Sequence, residues 1–311
     1  MREESVDIGA FRLDSGTVLA SATQRVTIYG HGDSVALVAH ALTGSSRVHD
    51  WWPQMIGDGK YLDPKRWRIV GINVLGGCYG STPARDGEAI GVADMVRAQE
   101  RALTRLGIER LDLVIGGSLG GMQALQWGLS FPQRVERAIV IGAYDHFGAM
   151  GIALNALQRE ALALDPKRGL RLARKIALLT YKSEELFARR HGRRYDRNGA
   201  ERFDVEGYLD HQADLFERRM DARTYALLTR AMDAFDVRTL PIPREPEFLF
   251  VGISSDWLFR PGDVRAAAER MHRAGAKARY AELSSDHGHD AFLAEAQSLT
   301  ALLRNTAPSV E

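Results

Sequence analysis

The chain has 311 residues, and its 41 Lys and Arg residues nearly balance its 40 Asp and Glu residues, which gives a formal net charge of +1. This balance removes the broad electrostatic case for a nucleic acid or an anionic membrane as partner. The single cysteine, Cys78, cannot form an internal disulfide or supply a cysteine-based metal cluster. The charged N-terminal segment lacks the apolar core of a signal peptide, and no stretch reaches the ~18–20 apolar residues of a membrane span. We therefore expect a globular cytoplasmic protein.

The first third of the chain alternates apolar runs with turns and helical patterns. Residues 17–29 mix β-branched and polar side chains, which predicts a half-buried antiparallel hairpin. Four nearly continuous apolar runs follow, at 34–42, 67–75, 111–118 and 137–143. Such runs are typical of strands buried on both faces of a parallel sheet. Helices are predicted at 93–107 and in the segment that ends near Pro132, because apolar residues recur there at helical spacing.

The middle third has a different character. Between residues 145 and 236 the pattern is helical and contains no convincing strand. The clearest helical stretches are 153–164, 169–181 and 222–235. This region therefore predicts a helical lid, inserted once at 145–236.

The β pattern resumes after the insertion. Strands are predicted at 245–256 and 277–284, and helices at 263–275 and 291–305. Strands that alternate with helices in this way form a mostly parallel sheet flanked by helices. We expect an α/β fold whose core combines 1–144 and 237–311.

The strongest local signal is the segment GGSLGG at residues 116–121. It fits the pattern G-x-S-x-G between a predicted strand and a predicted helix, which is the context of a nucleophile elbow. Gly116 and Gly120 keep the sharp turn free of side chains, and the backbone N–H of Leu119 is one predicted oxyanion donor. The alternatives are a phosphate-binding turn or a plain tight turn. The flanking elements favour Ser118 as a catalytic nucleophile.

A nucleophilic serine needs a base and an acid that orients the base. In hydrolase-fold enzymes the acid and the histidine follow the serine in the chain. Asp256 ends a predicted strand, and His289 lies between the last predicted strand and the last helix. His287 is a rival for the base, while Asp286 and Asp290 are rivals for the acid. Residue spacing alone does not separate them.

The second oxyanion donor should come from the loop after an early strand. The segment HALTGSS follows such a strand and indicates the backbone N–H of Leu42, with Thr43 as the alternative. The Gly-rich loop at 71–87 lacks the features of a nucleotide-phosphate cradle, so we expect it to line the pocket, with Cys78 as a packed side chain. No histidine spacing is typical of a catalytic metal site. We therefore predict no bound metal or cofactor.

The chain resembles the homoserine O-acetyltransferase family over about residues 10–300. The resemblance rests on the content, order and spacing of the segments HALTG, GINVLGGCYGST, DMVRAQ, GGSLGGMQALQW, GLRLARKIALLTYKS, YLDHQ, GISSDWLF and GHDAFL. That family has the α/β-hydrolase fold with a helical lid. The resemblance implies a ping-pong transfer in methionine biosynthesis, in which Ser118 accepts an acyl group from acyl-CoA and passes it to a hydroxy amino acid. It also implies that His289 is the base and Asp256 its acid.

The resemblance further implies an acceptor site and an assembly. Arg174 and Tyr181 match active-site residues of the family; Arg174 would bind the acceptor's carboxylate, and Asp290 its ammonium group. Members of the family dimerise through their lids, which implies a homodimer. The segments after GGCYGST and after LALDPK are shorter here than is usual in the family. They leave the donor open among acetyl, succinyl and another acyl group, and the acceptor open between homoserine and another acceptor such as serine.

Two other classes of function are compatible with the same candidate residues. An esterase or thioesterase could use the same serine, histidine and aspartate with water as acceptor. A ligand-binding module without activity would have little need of all three side chains. The intact set favours an enzyme, and Arg174 favours transfer of acetyl from acetyl-CoA to homoserine.

Overall fold

The structure is a computed structural model that describes residues 1–85, 87–196 and 201–306. Eight strands form one sheet: β1 Arg2–Arg12, β2 Val18–Tyr29, β3 Ser34–Ala39, β4 Trp67–Ile72, β5 Leu113–Gly117, β6 Arg137–Ile141, β7 Glu247–Ile253 and β8 Ala278–Leu283. Their order across the sheet is β1-β2-β4-β3-β5-β6-β7-β8. The pairs β1–β2 and β2–β4 are antiparallel, and all other neighbours are parallel. The mostly parallel sheet confirms the predicted fold class.

Helices cover both faces of this sheet or lie in the insertion. They are α1 Val48–Trp51, α2 Val92–Arg105, α3 Leu119–Ser130, α4 Ala149–Leu164, α5 Pro166–Tyr181, α6 Glu184–Arg190, α7 Asp204–Glu217, α8 Ala222–Asp233, α9 Pro261–Arg273, α10 Ala291–Ala294 and α11 Ala296–Asn305. One buried apolar cluster lies with α2, α3 and α9, and a second lies on the other face with α11. No helix in the described ranges has both the length and the apolar character needed to cross a bilayer.

The predicted hairpin at 17–29 is wrong. These residues form the single strand β2, which pairs with β1, and the turn between the two strands lies earlier, where the N–H of Leu13 donates to the carbonyl of Thr17. The charged residues of β1 concealed it, because an edge strand tolerates them on its solvent side. Glu3, for example, forms ion pairs with Arg25 and Arg47.

Helices α4 to α8 all lie between β6 and β7 in the chain. The two ends of this helical insertion meet, since His146 and Asp236 form an isolated antiparallel bridge. The amide of Val237 also donates to the carbonyl of Asp145 at 2.8 Å. Arg270 of α9 binds the Asp145 carboxylate with both nitrogens of its fork, at 2.9 and 2.7 Å, and so fastens the junction to the core.

Candidate active site

Three predicted site residues lie at the carboxyl edge of the parallel strands. Ser118 follows β5, Asp256 follows β7 and His289 follows β8. The strand between them brings the groups together: the carbonyl of Ile141, at the end of β6, accepts the amide of Ser118 at 2.9 Å. The next residue, Gly142, abuts the imidazole, because a Cβ placed there would lie 3.1 Å from Cε1 of His289.

Ser118 occupies a strained turn between β5 and α3. Its φ of 58° makes it the one non-glycine residue with a positive φ among those described. A Cβ on Gly116 would collide with the backbone of Gly120, and a Cβ on Gly120 would collide with the carbonyl oxygen of Ala39. Only glycine therefore fits the two positions that flank the serine, and the strand, turn and helix lie where the motif predicts them.

The imidazole of His289 is held by a buried carboxylate. Its Nδ1 lies 2.6 Å from Oδ2 of Asp256, and both residues are 2% exposed. The other oxygen, Oδ1, accepts the backbone amides of Leu258 and Phe259 at 2.9 Å. The Phe259 ring also stacks on the imidazole, with centroids 4.9 Å apart. These contacts leave Nε2 buried and without a hydrogen-bond partner in the described part of the chain, which includes Ser118.

The charge of His289 depends on two opposing effects. Burial opposes the charged imidazolium and by itself lowers the pKa of His289. Attraction to Asp256 and the hydrogen bond between the two side chains outweigh burial, and they raise the pKa above its usual value. The arrangement therefore stabilises the imidazolium that forms when the base takes a proton.

The two predicted oxyanion donors are buried backbone amides. Leu42 lies in the loop after β3 and is 6% exposed, and Leu119 is fully buried at the start of α3. Neither amide donates a hydrogen bond to another residue within the described ranges. The neighbouring Thr43 is held through its carbonyl, which accepts the guanidinium of Arg219 at 2.6 Å.

The rival residues are engaged elsewhere. Nδ1 of His287 lies 2.9 Å from Oε1 of Glu295, so this imidazole is not joined to Asp256. Asp286 forms an ion pair with Arg189 of α6. Ligand atoms of Asp286, His287 and Glu295 lie within 4.8 Å of one another, but all three side chains are partly exposed and already have protein partners.

Helix α5 presents Arg174 and Tyr181 to the same site. The guanidinium of Arg174 lies over the rings of Tyr181 and Phe216, 5.9 and 5.0 Å from their centroids. Its Nε is buried and has no hydrogen-bond partner among the described residues. The Tyr181 ring lies 5.9 Å from that of His289, and burial raises the pKa of Tyr181 to about 12. The protonated phenol of Tyr181 therefore contacts both the imidazole and the cation of Arg174.

Asp290 lies in the short 3-10 helix that also holds His289. Its Oδ2 accepts a 2.6 Å hydrogen bond from Nζ of Lys182, the residue after Tyr181. A primary ammonium group therefore already occupies the carboxylate that we expected to bind the acceptor's ammonium group. Sequence reasoning missed Lys182, because its contact with Asp290 joins residues 108 positions apart.

The sequence of this chain is similar to those of known proteins over most of its length. A family model described as "alpha/beta hydrolase fold" matches residues 37–296. A homoserine O-acetyltransferase from Acidiphilium cryptum (strain JF-5) is 39% identical over an alignment that covers 90% of this chain and 88% of the relative. This chain belongs to the homoserine O-acetyltransferase family. The predicted resemblance is confirmed.

The names of the relatives include two different acyl groups, acetyl and succinyl. A homoserine O-succinyltransferase from Laribacter hongkongensis (strain HLHK9) is 37% identical, over 94% of this chain and 91% of the relative. The solved homoserine O-acetyltransferase of Staphylococcus aureus matches with a TM-score of 0.83 at 26% identity, over 100% of this chain and 97% of that one. An acetylester hydrolase from Corynebacterium glutamicum reaches 0.84 at 21% identity, over 98% of this chain and 95% of that one, which shows a shared fold.

Proposed function

We propose that this protein transfers an acetyl group from acetyl-CoA to the hydroxyl of L-homoserine through an acyl-serine intermediate. The names of its relatives support homoserine as the acceptor. The observation that carries the proposal is Arg174, whose buried Nε has no partner among the described residues and whose guanidinium contacts Tyr181; the ring of Tyr181 in turn contacts His289. An enzyme that uses water as its acceptor has no need of a cation at this position.

In the first half-reaction, Nε2 of His289 takes the hydroxyl proton of Ser118 as Oγ attacks the thioester carbonyl. The amides of Leu42 and Leu119 stabilise the resulting oxyanion. Collapse of the tetrahedral intermediate breaks the carbon–sulfur bond, and the CoA thiolate takes the proton from His289. The acetyl group then remains on Ser118, and CoA leaves.

In the second half-reaction, His289 takes the proton of the homoserine hydroxyl, and that oxygen attacks the acetyl carbon. Collapse breaks the bond to Oγ, and Ser118 recovers its proton from His289. Asp256 stays ionised throughout and keeps the imidazole oriented. Transfer outcompetes hydrolysis only if the acceptor hydroxyl is held near the acetyl group and water is kept out.

Arg174 would hold the acceptor's carboxylate, because a guanidinium binds a carboxylate through two parallel hydrogen bonds. Asp290 would hold its ammonium group, which then takes the place of the Lys182 amine. The helical insertion at 145–236, which supplies Arg174, acts as a lid over a core made of 1–144 and 237–311.

The test follows release of free CoA from acetyl-CoA with and without L-homoserine, with the product identified by mass spectrometry. Without homoserine we expect a burst of about one CoA per active site, and continuous release only when homoserine is present, with neither in Ser118→Ala. Continuous release that is independent of any acceptor would identify a thioesterase instead. Succinyl-CoA and L-serine are run in parallel; succinyl transfer is the second candidate function because relatives of similar identity bear that name.

We also propose that two copies associate through the insertion. Five of its exposed apolar side chains lie on the two packed helices α4 and α5 at a spacing of seven residues within each helix: Met150, Leu157 and Leu164 on α4, and Leu172 and Leu179 on α5. Residues seven apart lie on one face of their helix, and we call these five side chains together the apolar stripe. A second copy of this chain is the proposed occupant, as the family resemblance implies.

A further inference from the structure

A chain of buried hydrogen bonds runs from the interior of α3 to the loop after β3. The indole N–H of Trp127 donates to Oε1 of Gln99 at 2.8 Å, and Nε2 of Gln99 donates to Oε1 of Gln123 at 2.7 Å. Nε2 of Gln123 then donates to the carbonyl of His40 at 3.0 Å and to that of Leu119 at 3.1 Å. All five residues are at most 2% exposed. We call this set the amide relay.

The chemistry of its two ends gives the amide relay a single direction. An indole N–H can only donate, so Gln99 must offer its oxygen to Trp127. Its NH₂ group then faces Gln123, which must offer its own oxygen in turn. A backbone carbonyl can only accept, so the NH₂ group of Gln123 faces His40 and Leu119. Neither amide can be flipped without leaving buried polar groups unpaired, which is costly.

The last link joins the two segments that carry the proposed oxyanion donors. His40 is two residues before Leu42, and Leu119 is the other donor residue. The imidazole of His40 holds the same loop further, because Nδ1 contacts the carbonyl of Ala41 at 2.8 Å and Nε2 accepts the amide of Val74 at 3.1 Å. One side-chain NH₂ group thus ties the loop after β3 to the first turn of α3.

We propose that Gln123 is a positioning residue that sets the spacing between the two oxyanion donors, with Gln99 and Trp127 holding its orientation. The inference rests on the proposed function in so far as the amides of Leu42 and Leu119 receive the oxyanion. It gives a role to the segments DMVRAQ and GGMQALQW, which contain all three side chains and which the proposed reaction does not otherwise use.

Displacement of a donor should slow the chemistry without weakening substrate binding. Stabilisation requires an N–H within about 2.7–3.1 Å of the oxyanion, and loss of one donor lowers kcat by about 10²–10³-fold. Gln123→Met keeps the length of the side chain but removes both of its N–H donors. We expect the rate of Ser118 acylation to fall by about tenfold or more, with KM for acetyl-CoA within about twofold.

The measurement is the second-order rate of Ser118 labelling by a fluorophosphonate, whose endpoint counts the folded active sites. A purely structural role would lower that endpoint and the melting temperature but leave the rate per site unchanged. The pH midpoint of labelling should also stay unchanged, because the amide relay does not contact His289. Gln126→Met is the matched control: Gln126 lies on the same helix, is 5% exposed, and its side chain donates to Ser130 at 2.7 Å and to no other described residue.

Trp127→Phe is the second variant, because it keeps an aromatic ring while freeing Gln99 to rotate. We expect a several-fold slower rate per site for it, and wild-type rates for Gln126→Met. If Gln123→Met folds and labels at the wild-type rate per site, the inference is wrong. If it does not fold, an unchanged rate in Trp127→Phe overturns the inference equally. Normal labelling of the wild type without acetyl transfer to homoserine would overturn the proposed function alone.

Discussion

Arg219 donates a hydrogen bond to the carbonyl oxygen of Thr43 at 2.6 Å and thereby joins the helical insertion to the loop that carries Leu42. The same guanidinium lies 5.3 Å from the ring of Phe216, against which Arg174 packs at 5.0 Å. The arginine proposed to bind the acceptor and the arginine that holds the proposed oxyanion loop therefore contact one aromatic ring.

Replacement of Arg219 should consequently affect the chemistry of both half-reactions. Arg219→Met removes the anchor of the loop, and we expect kcat to fall by several-fold, since a hydrogen bond from a charged group contributes about 1.5–3 kcal/mol and this one is partly screened by solvent. Steady-state kinetics of acetyl transfer provide the measurement. Arg218→Met, which changes an exposed neighbour whose side chain forms no hydrogen bond with another described residue, should behave as wild type; equal losses in both variants would contradict the prediction.

Removal of Arg174 should separate the two half-reactions. In Arg174→Met we expect KM for homoserine to rise by about 10–100-fold, because a charge-assisted carboxylate contact is lost, while acetylation of Ser118 proceeds normally. Burst kinetics measure acetylation, and steady-state rates measure transfer. Arg168→Met, on the exposed first turn of the same helix, is the control. An unchanged KM for homoserine would remove Arg174 from the acceptor site.

The pH dependence of acylation should report the pair of His289 and Asp256. The base works only when it is neutral, so kcat/KM should rise with pH through the raised pKa of His289, above the ordinary value of 6.5. In Asp256→Asn the carboxylate that attracts the imidazolium of His289 is gone, and burial then lowers the pKa. The rise of kcat/KM with pH should therefore occur at lower pH, while the rate falls by about 10⁴-fold. The profile is measured with acetyl-CoA. If kcat/KM rose at the same pH in the wild type and in Asp256→Asn, a group other than His289 would be responsible.

His40 should make the fold sensitive to acid. Burial lowers the pKa of His40 to about 4 from 6.5, so between these values the unfolded chain binds a proton that the folded chain does not. Stability should therefore fall as the pH drops from 6.5 to 4, by about 3 kcal/mol. Urea titrations across this range would measure it, with His40→Gln expected to lack this component. The raised pKa of His289 has the opposite effect on the pH dependence of stability. It is present in both the wild type and His40→Gln, so it cancels when their stabilities are compared.

The apolar stripe predicts an oligomer that one charge can disrupt. Leu157→Asp places a carboxylate at the centre of the proposed interface, where burial would be costly. We expect the wild type to have twice the chain mass of 34.5 kDa in multi-angle light scattering, and the variant to have the single chain mass. Leu215→Asp, at an exposed leucine on α7 outside the stripe, is the control. A monomeric wild type at micromolar concentration would refute the proposed interface.

How far the sequence predicted the fold and the site depended on the range of the interactions involved. The elbow at Ser118 was predictable because its sequence pattern lies within six consecutive residues, and the buried parallel strands were predictable because each is an apolar run. β1 was missed because its charged residues form an edge strand whose partners lie in β2 and beyond. The contacts of Lys182 with Asp290 and of Gln99 with Gln123 were equally invisible, because helical periodicity predicts a face and not a partner.

The bridge between His146 and Asp236 allows the helical insertion to evolve separately from the sheet. The helical segment departs from the scaffold and rejoins it at one spot, so its length and composition can be altered without shifting the register of any strand. Replacement of that one segment would exchange the proposed acceptor-binding residues without altering the residues of the core. New substrate preferences can therefore arise by exchange of the helical insertion alone, while the residues of the α/β core are left unchanged.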